Sequence, residues 1–304
     1  MLLLLATAFA NSGCRRGGPE PEARTWIEVY TQPLPKGEEP ACAWFGDRRD
    51  DVVYFGQAAF WRAMREAGGD PTAELARSSP QRIGRFDLAG ERFLPSLDVT
   101  EPPSLSGVWD VLAHPNGRVY FTTYYERAGW IDPESGARRR LGPETIGLNE
   151  LALGPDDTVL ATRYGSADGS RPGGVVQLDA EGDTIAEWPL PVAPGLTLAP
   201  KSLAFDARRR EIWITTDLLG ESVPSGAAGH PSFILGLDGV VRLRWDRDEI
   251  QFVQMDGDGR GRFAVVDAQG LWLGLVDSEA VHPTPAGAER VLLDADFQRA
   301  FDFV

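Results

Sequence analysis

The sequence predicts an all-β chain folded as a β-propeller of four-stranded antiparallel blades. Three observations carry this: a hairpin that recurs, a second hairpin after most of its copies, and the spacing between copies. The clearest copy is residues 147–162, GLNELALGPDDTVLAT, in which two apolar runs flank a polar turn. Alternating apolar residues on both sides of such a turn read as a β-hairpin. The unit returns at 107–122 (GVWDVLAHPNGRVYFT), 199–215 (APKSLAFDARRREIWIT) and 250–266 (IQFVQMDGDGRGRFAVV), with a degenerate copy at 41–56 (ACAWFGDRRDDVVYFG). Aligned on their turns, the copies equate Ala41, Trp109, Asn149, Lys201 and Gln251. Those positions are about 40–68 residues apart, near the length of a propeller blade with insertions.

The second hairpin is a strand, a turn around Asp and Gly, and another strand. It occurs at 82–93, 129–140, 175–188 and 233–245, with Asp87, Asp132, Asp179 and Asp238 at matching places. Two hairpins make four strands. A single four-stranded sheet cannot bury both of its faces, so several must stack around an axis.

Taken in order, residues 1–14 (MLLLLATAFANSGC) read as an export leader. The apolar run is too short to span a bilayer, and small residues ending in Cys14 resemble a bacterial lipoprotein signal in which that cysteine is lipidated. No Lys or Arg precedes the run, and Asn11 stands where such signals carry leucine. Residues 15–24 form a short Pro/Gly-rich tether, and 25–304 the propeller domain. Residues 25–30 (TWIEVY) read as a strand that closes the ring by completing its last blade. A helical insertion is expected near 58–80, where Phe60, Met64 and Ala67 have helical spacing. Loops 165–174 and 220–231 connect second and third strands, and the sequence does not say which rim they occupy. The end of the chain, 297–304, reads as the first strand of a sixth blade, which makes the expected ring six-bladed with its last blade incomplete. A five-bladed ring with a tail is the alternative.

With 304 residues and 42% hydrophobic content the chain can bury a large core as one all-β domain. A net charge of −15 argues against nucleic acid or an anionic membrane as partner, since either needs a basic surface. Membrane contact is therefore expected only through a lipid anchor. The two cysteines, Cys14 and Cys42, form no CxxC pair, so a cysteine zinc site is not expected.

The equivalent positions at the heads of the inner strands are the candidate site. Trp109, Asn149, Lys201 and Gln251, with Asp110 and Glu150 beside them, would line a polar ligand pocket. Lys201 could hold a carboxylate or phosphate as a point charge, and Trp109 could stack on a planar face. The plainer alternative is that these side chains satisfy one another. Residues 256–267 (DGDGRGRFAVVD) look like a calcium loop, but Arg260 stands at a ligand position, and a blade turn explains the glycines. His114, His230 and His282 all precede proline and read as surface loop residues, and no GxSxG elbow occurs.

The run Gly37-Glu38-Glu39-Pro40-Ala41-Cys42-Ala43-Trp44, the Gly147-Leu148-Asn149-Glu150 head and the Leu203-Ala204-Phe205-Asp206 turn together resemble the gluconolactonase/regucalcin-like, or NHL-type, six-bladed propellers. The resemblance implies an oxygen-ligated divalent cation, such as calcium, on the ring axis, polarising a lactone carbonyl for attack by water. It assigns Glu38 or Glu39 as the carboxylate and Asn149 as an amide ligand. It also puts Lys201 where the family has a second Asn and Gln251 where it has Asp. A charged lysine cannot ligate a cation and repels it. The expected function is therefore an exported, lipid-anchored propeller of the periplasm or outer membrane that binds a small polar ligand or an envelope protein. The alternative is a divalent-metal-dependent lactonase or esterase with a remodelled site.

Overall fold

The computed structural model describes residues 3–5, 28–30, 46–58, 68, 80–101, 107–123, 126–166, 169–207, 209–220, 223, 229, 231–246, 254–257, 262–267, 270–275 and 289–291. The chain forms two compact units, residues 1–39 and 40–304. In the first, β1 (Leu3–Leu5) pairs antiparallel with β2 (Glu28–Tyr30). The expected strand in TWIEVY is thus present over its last three residues, where it pairs with β1.

In the second unit the described strands form five four-stranded antiparallel sheets in chain order. Sheet 1 holds β3 (Gly46–Arg49), β4 (Val52–Ala58), β5 (Gln81–Asp87) and β6 (Arg92–Asp98). Sheet 2 holds β7 (Val111–Ala113), β8 (Val119–Phe121), β9 (Gly129–Ile131) and β10 (Arg138–Arg140). Sheet 3 holds β11 (Leu148–Leu153), β12 (Val159–Arg163), β13 (Gly174–Leu178) and β14 (Thr184–Pro189). Sheet 4 holds β15 (Thr197–Asp206), β16 (Glu211–Leu219), β17 (Pro231–Gly236) and β18 (Val241–Asp246). Sheet 5 holds β19 (Gln254–Gly257), β20 (Arg262–Asp267), β21 (Gly270–Leu275) and β22 (Glu289–Val291). The run that resembles a calcium loop lies on the β19–β20 hairpin. The expected insertion near 58–80 falls outside the described residues except at its ends and Gly68.

The chain is a β-propeller. First strands adjoin one another from sheet to sheet, β3 with β7, β7 with β11, β11 with β15 and β15 with β19, so they form the inner wall. Period-2 alternation explains why. On β8, Val119 and Phe121 pack into the cluster shared with sheet 1 (Tyr54, Ile83, Val111), whereas Tyr120 between them packs into the cluster shared with sheet 3 (Leu148, Val159, Val176). On β12, Val159 and Ala161 face back to sheet 2 while Leu160 joins Leu203, Ile214 and Phe233 of sheet 4. Each inner sheet therefore buries two apolar faces, which no isolated sheet can do. Fourth strands are the exception: β14 alternates half-buried with exposed residues, as an outer edge should.

The matching aspartates turn the outer hairpins. The Asp132 carboxylate accepts the Glu134 N–H at 2.8 Å, and that of Asp179 accepts the Glu181 and Asp183 N–H groups, each at 2.9 Å. Asp87 and Asp238 do the same for Gly90 and Val240. These are Asx turns, so the repeated Asp is a folding signal rather than a site. The inner turn of sheet 3 has Asp156 and Asp157 both left-handed, at φ 55 and 57. The Thr158 N–H closes it on the Pro155 carbonyl at 3.1 Å.

Candidate functional site: bulges at the heads of the inner strands

Strand register identifies the equivalent inner positions. Val111 pairs with Phe121, Leu151 with Ala161 and Leu203 with Ile214. Two residues before each lie Trp109, Asn149 and Lys201, the alignment that the turns predict. The corresponding position in sheet 1, Ala41, lies outside the described residues. Gln251, Glu38, Glu39 and Cys14 lie outside the described residues.

At these three positions the inner strand carries one residue too many. Leu148 faces Arg163 and Leu151 faces Ala161, so Asn149 and Glu150 share the single residue Thr162. Pro200 faces Thr216 and Ser202 faces Thr215, which leaves Lys201 as the extra residue. In sheet 2, Thr122 accepts the Trp109 N–H at 2.8 Å and donates its own to the Asp110 carbonyl at 3.0 Å. A β-bulge interrupts ladder pairing and re-aims side chains, which is why bulges collect at sites.

The freed backbone groups are met by side chains. The Thr122 hydroxyl accepts the Asp110 N–H at 3.2 Å and donates to the Asn149 carbonyl at 2.5 Å. The Thr162 hydroxyl accepts the Glu150 N–H at 3.0 Å. The Asp110 carboxylate accepts the Leu151 N–H at 2.6 Å, and Asn149 Nδ2 donates to the Lys201 carbonyl at 2.9 Å. A hydrogen-bonded chain thus runs from sheet 2 through sheet 3 to sheet 4. Much of the candidate set holds the inner wall together, as the plainer sequence reading has it.

Other groups remain. With Nδ2 spent on the Lys201 carbonyl, the Asn149 amide is fixed in orientation, and its Oδ1 is buried with no hydrogen-bond partner among the described residues. Lys201 Nζ forms an ion pair with Asp217 on β16, both side chains largely buried. Sequence reading missed Asp217; its only signal is an acid set between Thr216 and Leu218 in the largely apolar strand EIWITTDLL. It also missed Arg163, the single charge that ends β12. Arg163 is 3% exposed and its Nη2 meets Glu187 Oε2 at 2.8 Å. Hydrogen bonding from Arg163 holds the Glu187 carboxyl below the usual range against the opposing effect of burial, and the charges of Arg163 and Arg171 add to it.

The loop after β12 stands on the same rim. Tyr164 donates its N–H to the Gly147 carbonyl at 3.0 Å, and Gly165 donates to the Leu198 carbonyl at 2.9 Å. Both acceptors lie at the starting ends of inner strands, so the rim that the sequence leaves open is the one bearing Asn149 and Lys201.

His114 departs from its expected surface position. It is fully buried, with Nδ1 accepting the Asn116 N–H at 3.1 Å and Nε2 bonded to the Asp157 carbonyl at 2.8 Å. The turn of sheet 3 covers it, which the local sequence does not reveal. His230 and His282 lie outside the described residues.

Among the described positions that the resemblance assigns, the donors do not fit a divalent cation. Of the positions that the resemblance assigns, Asn149 offers one neutral oxygen, and Lys201 contributes an ammonium already matched to Asp217. Among the described residues no group of three or more His, Cys, Asp or Glu side chains is placed to hold a metal ion.

No known family model matches the chain, and no curated protein matches it. Solved structures do. The extracellular domain of a hybrid two component system protein from B. thetaiotaomicron superposes with a TM-score of 0.52 at 14% identity over 89% of this chain and 31% of its own. Virginiamycin B lyase from Staphylococcus aureus superposes with a TM-score of 0.52 at 15% identity, covering 88% of this chain and 75% of that one. The chain therefore spans about a third of the first protein's length. At these identities the likeness concerns the fold.

Proposed function

We propose that the protein is a propeller binding module that takes a small polar ligand at the inner rim of sheets 2 to 4. The observation that carries this reading is Asn149 Oδ1. A buried acceptor without a partner costs about 1–3 kcal/mol, and a ligand N–H or O–H placed there would recover it. Trp109 and Lys201 occupy the equivalent bulges on either side and supply an aromatic face and an ammonium paired with Asp217. We place the module in the bacterial envelope, exported through residues 1–14 and anchored by a lipid on Cys14. Support comes from the leader pattern and from the extracellular placement of the B. thetaiotaomicron domain. The gluconolactonase-like hydrolase reading loses ground because its cation would meet Lys201.

A thermal-shift screen of neutral sugars, sugar acids, dicarboxylates and short peptides tests this. A ligand at a hundred times its Kd stabilises by about 2.7 kcal/mol, which at this size raises Tm by roughly 5–10 °C. At least one class is expected to do so, with the shift reduced in Lys201→Met and in Asn149→Ala. A screen without any shift, or with shifts indifferent to both substitutions, would refute the proposal.

A further inference from the structure

We infer that the rim recognises an oxyanion, the carboxylate or phosphate of its ligand, through Arg171 with Arg163 behind it. This deepens the binding reading above and rests on it. The two arginines reach the same point of the backbone. Gly147, two residues before Asn149, has φ +86, and the position its Cβ would occupy is 3.5 Å from Arg171 Nη2 and 4.0 Å from Arg163 Cγ. A side chain at 147 would be strained there, and its absence lets Arg171 lie against the strand head.

The charges do not cancel. Glu187 is matched to Arg163 at 2.8 Å, and Lys201 to Asp217. Arg171 makes no ion pair and no side-chain hydrogen bond among the described residues, and its Nε is buried without a partner. Arg163 Nε is likewise buried and unmatched, on a side chain 4% exposed. Buried guanidinium N–H groups are rarely left idle, and their planar fork matches two oxygens of one carboxylate or phosphate.

Ser166 ties down the backbone of Arg171. The Arg171 N–H donates to Ser166 Oγ at 2.8 Å, and the Ser166 N–H donates to the Arg171 carbonyl at 2.8 Å, closing a compact turn. Such preorganisation lowers the cost of binding. In a chain of net charge −15, two arginines that share Glu187 and lie against the head of the strand carrying Asn149 form a local feature suited to draw in an anion.

Calorimetric titration of the purified chain with inorganic phosphate, and in parallel with succinate, tests the inference at constant ionic strength. Saturable binding of one of them is expected, and which one binds identifies the oxyanion. Arg171→Gln should weaken it about tenfold or more, and Arg171→Lys should retain part of it, since charge persists without the fork. No saturable heat with either anion at millimolar concentration overturns the inference, as does equal binding by wild type and Arg171→Gln. A neutral ligand that binds wild type and Arg171→Gln alike, but is lost in Lys201→Met, overturns the oxyanion while leaving the binding module intact.

Discussion

Asp110→Ala is expected to lower stability by about 2–4 kcal/mol, the sum of a charge-assisted hydrogen bond and an orphaned buried donor. Asp110 is 3% exposed, and its carboxylate accepts the Leu151 N–H across the gap between sheets 2 and 3. The bulge at Asn149 and Glu150 interrupts the ladder just before Leu151, and the Asp110 carboxylate supplies the acceptor there. Asp110→Asn keeps an acceptor oxygen and should recover roughly half of the loss, because a neutral acceptor is about half as strong. Chemical denaturation of the three proteins measures this. If Asp110→Ala stayed within about 0.5 kcal/mol of wild type, in the range of surface substitutions, Asp110 would not be a latch between blades.

His114→Ala should cost about 2–4 kcal/mol, since it empties a buried site and strands the Asp157 carbonyl. With Nδ1 accepting from Asn116, the proton sits on Nε2 and is donated to the Asp157 carbonyl. His114 also packs edge-on to Tyr120 at 5.3 Å. Its removal therefore loosens the hairpin of sheet 2 and the turn of sheet 3 together. A fall in Tm of roughly 5–15 °C is expected for a chain of this size. An unchanged Tm would mean that the ring is not what holds the sheet 3 turn.

The fold is legible in this sequence because hairpin turns and period-2 alternation are local. GPDD, HPNG and the repeated Asp of the outer hairpins each set a turn from their own residues, and Val119-Tyr120-Phe121 divides between two faces by alternation alone. The alignment through Trp109, Asn149 and Lys201 follows because the three hairpins keep the same register beyond their turns. The partner of residues 28–30 is not legible, since a strand edge accepts any partner and this one pairs with Leu3–Leu5.

The site is less legible, because burial and pairing are set by neighbouring sheets. Nothing near His114 announces that the turn around Asp157 will cover it. Lys201 is read as a free positive charge, yet its partner Asp217 lies on the adjacent strand, offset by the bulge. Arg163 and Arg171 are brought to Gly147 by a loop whose own sequence, rich in small residues, carries no periodic signal.

The central claim is that the inner rim is a polar ligand site and not a divalent-cation centre. Calorimetric titration of the chain with calcium, repeated with magnesium, manganese and zinc, tests it most directly. Lys201 at an inner bulge predicts no saturable heat with any of them. Micromolar binding of one cation that disappears in Asn149→Ala would contradict the account and restore the metal-dependent hydrolase.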